Sequence, residues 1–106
     1  MRAMSQPAQP ASGRQHIARR CYISGRVQGV NYRASARRQA LAAGISGHAH
    51  NLPDGRVEVL ACGAPEAVLA FIEWLWIGPS AARVSAVVIE ELPAHGPGCP
   101  GGFSTA

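Results

Sequence analysis

The order of its periodic segments is the feature that most limits what this chain can fold into. Short segments typical of half-buried strands are interrupted by two longer segments with helical periodicity. The Pro-Asp-Gly sequence at 53–55 favours a tight turn, so the strands on either side of it should form a hairpin. The predicted elements are strands at 17–24, 45–52, 56–62 and 83–92, and helices at 32–43 and 65–77.

This βαββαβ order predicts an α+β sandwich of the ferredoxin-like kind, with an antiparallel sheet that carries both helices on one face. The second helix supports this, because its apolar residues recur at the spacing of a core-facing stripe. That stripe comprises Val68, Phe71, Ile72, Leu75 and Trp76. We therefore expect one core, between the helices and the sheet.

The length of 106 residues indicates one domain, which we expect at 17–92. Residues 1–16 are rich in Pro, Ser, Gln and Ala without periodicity, and they predict a flexible leader. Residues 93–106 form a Gly/Pro-rich tail with room for a short terminal strand.

Composition indicates the cellular compartment in which the protein works. The chain has no apolar run long enough for a membrane-spanning helix, and its N-terminus lacks the apolar segment of a secretory signal. Its three cysteines are odd in number and form no CxxC, which favours reduced thiols over a disulfide framework. We expect a cytoplasmic protein, with a monomer as the simplest assembly.

Charge is distributed unevenly along the chain. All ten basic residues are arginines, and eight of them precede Asp54, whereas all six acids lie at or after it. Such asymmetry indicates an anionic partner for the first half. The bland alternative is that these arginines are solvated surface residues.

The segment SGRVQGVNYR, residues 24–33, is the main candidate for an anion site. Gly25 and Gly29 permit unusual backbone conformations and let N–H groups approach a ligand closely. The segment enters a helix for which Asn31 is a suitable N-cap, and a loop of this kind forms a concave array of donors. Arg33 would lie near the positive end of that helix, with forked donors that fit phosphate oxygens.

Three other kinds of anion or metal site fit the sequence less well. The GxxxxGK[ST] motif of a Walker loop is absent. Cys21 and Arg26 are one residue too close for a cysteine-phosphatase loop, and Cys21 lies within a strand. His48 and His50 share a strand face, but no third ligand is evident beside them, so no metal site is predicted.

Four segments, taken in order, resemble the signature of the acylphosphatase family. That signature reads G-x-V-Q-G-V-x-F-R, L-G-x-x-G-x-V-x-N, D-G-x-V-E and W-L-x-x-G-P-x-x-A-x-V. The corresponding segments here are GRVQGVNYR, AGISGHAHN, DGRVE and WLWIGPSAARVSAV, and the resemblance covers residues 18–92. It implies the ferredoxin-like fold and a hydrolase that acts on the carboxyl–phosphate bond of small acyl phosphates without a metal or other cofactor.

The resemblance also implies roles for particular residues. The catalytic pair would be Arg33 and Asn51, which close the first and second motifs. The phosphate would be bound by backbone N–H groups of a phosphate-binding loop that comprises Arg26, Val27, Gln28, Gly29, Val30, Asn31 and Tyr32. The sequence departs from the family at 48–50, where His-Ala-His replaces Trp or Tyr, then Val, then often Arg.

Two functions of other classes share this topology. One is a non-catalytic domain that senses phosphate or another anion, and the other is an RNA-binding module. RNA-recognition domains of this topology stack bases on aromatic residues of the central strands. Tyr22 is the only aromatic of the first strand and RVEVLAC, 56–62, has none, so we expect no specific nucleic-acid partner.

Overall fold

A computed structural model describes residues 16–93, 99 and 101–105, which form one sheet and two helices. The predicted leader therefore lies, apart from His16, outside the described residues. Neither helix in the described ranges has the length and apolar character needed to cross a membrane. The elements are β1 (Ile17–Arg26), α1 (Tyr32–Ala42), β2 (Ser46–Asn51), β3 (Val57–Gly63), α2 (Pro65–Ile77), β4 (Arg83–Leu92) and β5 (Phe103–Ser104).

The sheet has the strand order β4-β1-β3-β2-β5. Its first four strands pair antiparallel, with β1 between β3 and β4, and this is the predicted ferredoxin-like arrangement. The antiparallel sheet that we predicted is therefore present, but the sheet as a whole is mixed, because the short terminal strand β5 pairs parallel to β2. β4 and β5 lie at opposite edges, so the chain crosses the width of the sheet before it adds this last strand.

The main core lies between the helices and one face of the sheet, as predicted. Cys21 and Ile23 of β1 point into it and are fully buried, together with four of the five stripe residues of α2. Trp76 is the exception, since it is 49% exposed. Trp74, one helical turn after Phe71, packs on the core instead, and its ring is parallel to that of Phe71.

A second, smaller cluster covers one end of the opposite face of the sheet. It comprises Ala18, Leu60 and Cys62, with Leu92 and Cys99 packed against them. Cys62 and Cys99 form a disulfide that joins β3 to the tail. The expectation of reduced thiols is therefore wrong for this pair, although Cys21 is free and buried. The two cysteines meet because Cys99 packs on the same face of the sheet as Cys62, and their spacing in the sequence does not reveal this.

Strand order also brings together the opposite charges of the two halves of the chain. Arg20 on β1 lies 3.3 Å from Glu58 on β3 and 3.4 Å from Glu90 on β4. Arg19 lies 4.0 Å from the exposed Glu91. Charges that are separated in sequence thus partly cancel on the sheet, and the arginine excess of the first half is weaker evidence for an anionic partner than the sequence suggests.

The disulfide generates a prediction about stability. It closes a loop between positions 37 residues apart. For that loop length, chain entropy predicts a contribution of about 3–4 kcal/mol to the free energy of unfolding. Dithiothreitol should therefore lower the urea midpoint of the wild-type protein, and Cys99→Ser should lower it without reductant.

The control is the same reductant applied to Cys99→Ser, which has no disulfide left to lose. Its unfolding curve should not move. A wild-type midpoint that is insensitive to dithiothreitol would show that the bond does not contribute to stability.

Candidate active site

The loop that leaves β1 depends on backbone conformations that few residues adopt. Gly25 lies at a bulge in the pairing with β4 and has φ 122°. A side chain there would overlap the backbone carbonyl of Arg83, so a glycine is required. Further on, Gly29 and Asn31 are both left-handed, with φ of 76° and 66°. Asparagine is one of the few residues besides glycine that adopts this conformation readily.

Residues 27–34 carry a continuous run of backbone donors that have no partner among the described residues. In the described part of the chain, no N–H of residues 27–34 donates to a backbone carbonyl. The first such bond is from Ser35 N to Asn31 O, at 3.1 Å. Asn31 is at the predicted N-cap position, but its left-handed backbone carries no side-chain cap bond. The donors of the loop and of the first helical turn are thus available to a ligand.

Side chains hold this loop against the rest of the fold. Val27 and Tyr32, near its two ends, are both 1% exposed. The Tyr32 hydroxyl donates to the Leu75 carbonyl in α2, and burial raises the pKa of this phenol, so the donor stays protonated. The Gln28 Nε2 donates to the carbonyls of Leu52 and Arg56, at 2.8 and 2.9 Å. Gln28 thereby fixes the loop against the hairpin turn that follows Asn51.

A cavity of about 180 Å³ lies between the loop, the start of α1 and the end of β2. One water needs roughly 10–15 Å³, so there is room for a small polar ligand. Arg33 from α1 and Asn51 from β2 both face this cavity, whereas Arg26, Gln28 and Val30 do not line it. The lining residues are Val27, Gly29, Asn31, Tyr32, Arg33, Ala34, Asn51 and Thr105.

The tail positions the guanidinium of Arg33. Its Nη1 donates to the Thr105 carbonyl at 2.7 Å, and one turn later the Nε of Arg37 donates to the Phe103 carbonyl at 3.1 Å. No other protein acceptor binds Arg33 among the described residues, so the rest of its donors can serve a ligand. Among the described residues, no carboxylate lines the cavity and no acid occupies the first turn of α1, so the site favours an anion.

Sequence reasoning missed two of the lining residues. Thr105 is brought here by the pairing of β5 with β2, for which the sequence carries no local signal. Ala34 could have been found, because the N–H groups of the first turn are free in any helix.

Other reactive groups lie outside this cavity. Cys21 is buried in the core, where loss of solvation raises the pKa of its thiol to about 12. It is therefore a neutral thiol that does not line the cavity, which excludes it as a nucleophile there. His48 and His50 also lie outside the cavity.

Comparison with known proteins gives a consistent result. The chain matches the family model described as acylphosphatase over residues 19–104. It is 58% identical over 85 residues to an acylphosphatase of Halorhodospira halophila, an alignment that covers 80% of this chain and 89% of that one. It is 53% identical over 79 residues to an acylphosphatase of Chromohalobacter salexigens, with 74% and 88% covered. Among solved structures, an acylphosphatase from Coxiella burnetii superposes with a TM-score of 0.82 at 33% identity, covering 92% of this chain and all of that one.

Proposed function

The chain belongs to the acylphosphatase family, and on this premise we propose that Arg33 and Asn51 are its catalytic residues. It hydrolyses the carboxyl–phosphate bond of small acyl phosphates to a carboxylate and inorganic phosphate. The single observation that carries the assignment of the site is the shared cavity, which Arg33 and Asn51 line from different elements beside unpaired backbone donors.

The proposed reaction begins with attack of water on phosphorus. The leaving group is a carboxylate, which is already a stable anion and needs no strong acid. Negative charge on the transferred phosphoryl group must instead be stabilised by oriented donors. The remaining N–H groups of Arg33 and the backbone N–H groups of the loop would supply them, and Arg has the forked geometry that fits two phosphate oxygens.

Asn51 would position the attacking water. Its side-chain oxygen can accept a hydrogen bond from the water while its NH₂ group donates to a phosphate oxygen. Fixing both partners in this way lowers the entropic part of the barrier. The phosphate can take the proton that water loses, so this chemistry uses neither a catalytic carboxylate nor a metal.

Residues of the proposed phosphate-binding loop have two different roles, direct contact with the phosphate and support of the loop. The N–H groups of Val27, Gly29, Asn31 and Tyr32 are the best candidates for direct contact with the phosphate, because these residues line the cavity. Gln28 would act through its side chain, which holds the loop in place. We further propose that the catalytic unit is 17–92, flanked by the leader and by a tail that supplies Thr105.

We also propose that the enzyme acts as a monomer without specific binding of nucleic acid. The ring of Tyr22, on the open face of the sheet, is covered by the Arg56 guanidinium at 4.8 Å. Glu58 and Glu90 on that face would repel phosphates. A gel shift with single-stranded RNA at physiological salt should show no complex, and a salt-resistant complex would contradict the absence of specific RNA binding. Sedimentation should give the mass of one chain, and a larger mass would contradict the monomer.

A cytoplasmic location is the remaining part of the proposal. Cytoplasmic thiols are kept reduced, so the Cys62–Cys99 disulfide of this structure would be reduced there for much of the time and would contribute to stability only when oxidised. Alkylation of thiols in rapidly quenched cells, read by mass spectrometry, should label both cysteines. A pair that stays fully oxidised would place the protein in an oxidising compartment.

Removal of the guanidinium tests the role of Arg33. We expect Arg33→Gln to lower kcat by at least roughly 10²–10³-fold, the typical effect of losing one donor to a developing oxyanion. The measurement is hydrolysis of benzoyl phosphate with EDTA present. Arg37→Gln is the matched control, because Arg37 also binds a tail carbonyl but does not line the cavity. Equal losses in the two variants would assign the effect to tail anchoring rather than to phosphate binding.

Asn51→Ala tests the positioning of water. We expect kcat to fall by about 10²-fold, because a misplaced nucleophile loses the advantage of orientation. Thermal unfolding should stay near that of the wild type, since Asn51 is exposed at the end of β2. Ser46→Ala, at the other end of the same strand, is the control. Turnover close to normal in Asn51→Ala would remove this residue from the mechanism.

A further inference from the structure

We propose that His48, His50 and Glu58 form a binding site for a divalent transition-metal ion on the open face of the sheet, opposite the helices. One potential ligand atom from each residue lies within 4.8 Å of the other two. None of the three residues lines the cavity that contains Arg33 and Asn51. The proposed metal site is thus separate from the proposed hydrolytic chemistry.

Strand pairing assembles the three groups. His48 and His50 are two residues apart on β2, so their side chains share a face, and His50 pairs directly with Glu58 on β3. The Nε2 of His48 lies 3.3 Å from Oε1 of Glu58, and the two imidazole rings stack with centroids 4.1 Å apart. The sequence shows the two histidines, but the third ligand comes only from the register of the hairpin.

One of the three distances between ligand atoms is close to the value that a zinc ion requires, and all three are within 4.8 Å. Bonds of about 2.0–2.1 Å in a tetrahedral site place neighbouring ligand atoms about 3.4 Å apart. The 3.3 Å between His48 and Glu58 already matches this value. Two parallel rings cannot both direct a nitrogen lone pair at one ion, so one ring must tilt when the ion binds. The torsion that turns an imidazole has a broad energy minimum, which makes this a small adjustment.

Neighbouring charges support a cation at this position. Arg20 lies beside Oε2 of Glu58, which leaves Oε1 towards His48, and it also contacts Glu90. Two carboxylates around one guanidinium leave a net negative charge next to the two imidazoles. The Nε–H of Arg20 is buried and makes no well-aligned hydrogen bond to any residue that the structure describes. A rotation of the Glu58 carboxylate towards an ion could also give this donor an acceptor, so Arg20 would orient the ligand from outside the site.

The donor set indicates the class of ion. Two imidazole nitrogens and one carboxylate oxygen suit zinc, copper or nickel better than magnesium or calcium. The side chains of His48 and Glu58 are each 20% exposed, so an ion can enter and water can take a fourth position. A bound ion would connect β2 to β3 and should therefore stabilise the hairpin that ends beside Asn51.

Zinc binding to the whole oxidised protein tests this proposal. Titration calorimetry with ZnCl2, without chelator or reductant, should show one equivalent bound, and Tm should rise with zinc concentration because the ion binds the folded state. His48→Gln and His50→Gln should each weaken binding by at least about tenfold, since even outer-shell changes at metal sites have effects of that size. His16→Gln is the matched control, because His16 is exposed and outside the cluster, and its affinity should equal that of the wild type.

Several results would overturn the metal site. The proposal fails if the wild-type protein shows no saturable binding of zinc, or if the affinity for zinc is unchanged in both His48→Gln and His50→Gln. With Co2+ as the probe, a thiolate charge-transfer band would assign the ion to cysteine instead. Hydrolysis of benzoyl phosphate in EDTA reports on the cavity alone, so failure of this proposal and failure of the catalytic assignment are distinguishable.

Discussion

The backbone of Val27–Asn31 can keep its donors unpaired only because the core holds both of its ends. Val27 and Tyr32 are buried on either side of the left-handed residues, and the Tyr32 hydroxyl ties the start of α1 to the end of α2. Gln28 adds a connection to the hairpin turn. The packing of two helices on one sheet thus supports an arrangement of N–H groups that an isolated loop would lose to water or to local turns.

The position of β1 in the middle of the sheet determines which charges remain available. Because β3 and β4 flank it, their glutamates lie next to Arg20 and Arg19. The charges of these two arginines are therefore partly neutralised on the sheet. Arg33 comes after the strand ends and has no acidic neighbour in its helical turn. The same topology that neutralises one part of the chain leaves positive charge beside the unpaired backbone donors.

Sequence patterns predicted the parts of the fold that depend on local periodicity and turn chemistry. Both helices, the first four strands and the glycine requirement of the loop follow from them. The differences concern contacts between distant segments: the parallel pairing of β5, the Cys62–Cys99 bond and the position of Thr105 all depend on where the last described residues pack on the sheet. Trp76 was assigned to the core wrongly, because the helical spacing does not define which residues at the edge of an apolar stripe are buried. Glu58 lies beside the two histidines only because of the register between β2 and β3.

The pairing of β5 with β2 joins positions more than half the chain apart. The pairing is only two residue pairs long, whereas β1 pairs with β4 through nine, so it gains little for the loop closure that it requires and can open locally. The four-stranded unit can therefore stay folded while β5 is detached. The carbonyl that holds Arg33 leaves the site whenever β5 detaches, so the chain can be folded without being competent for turnover.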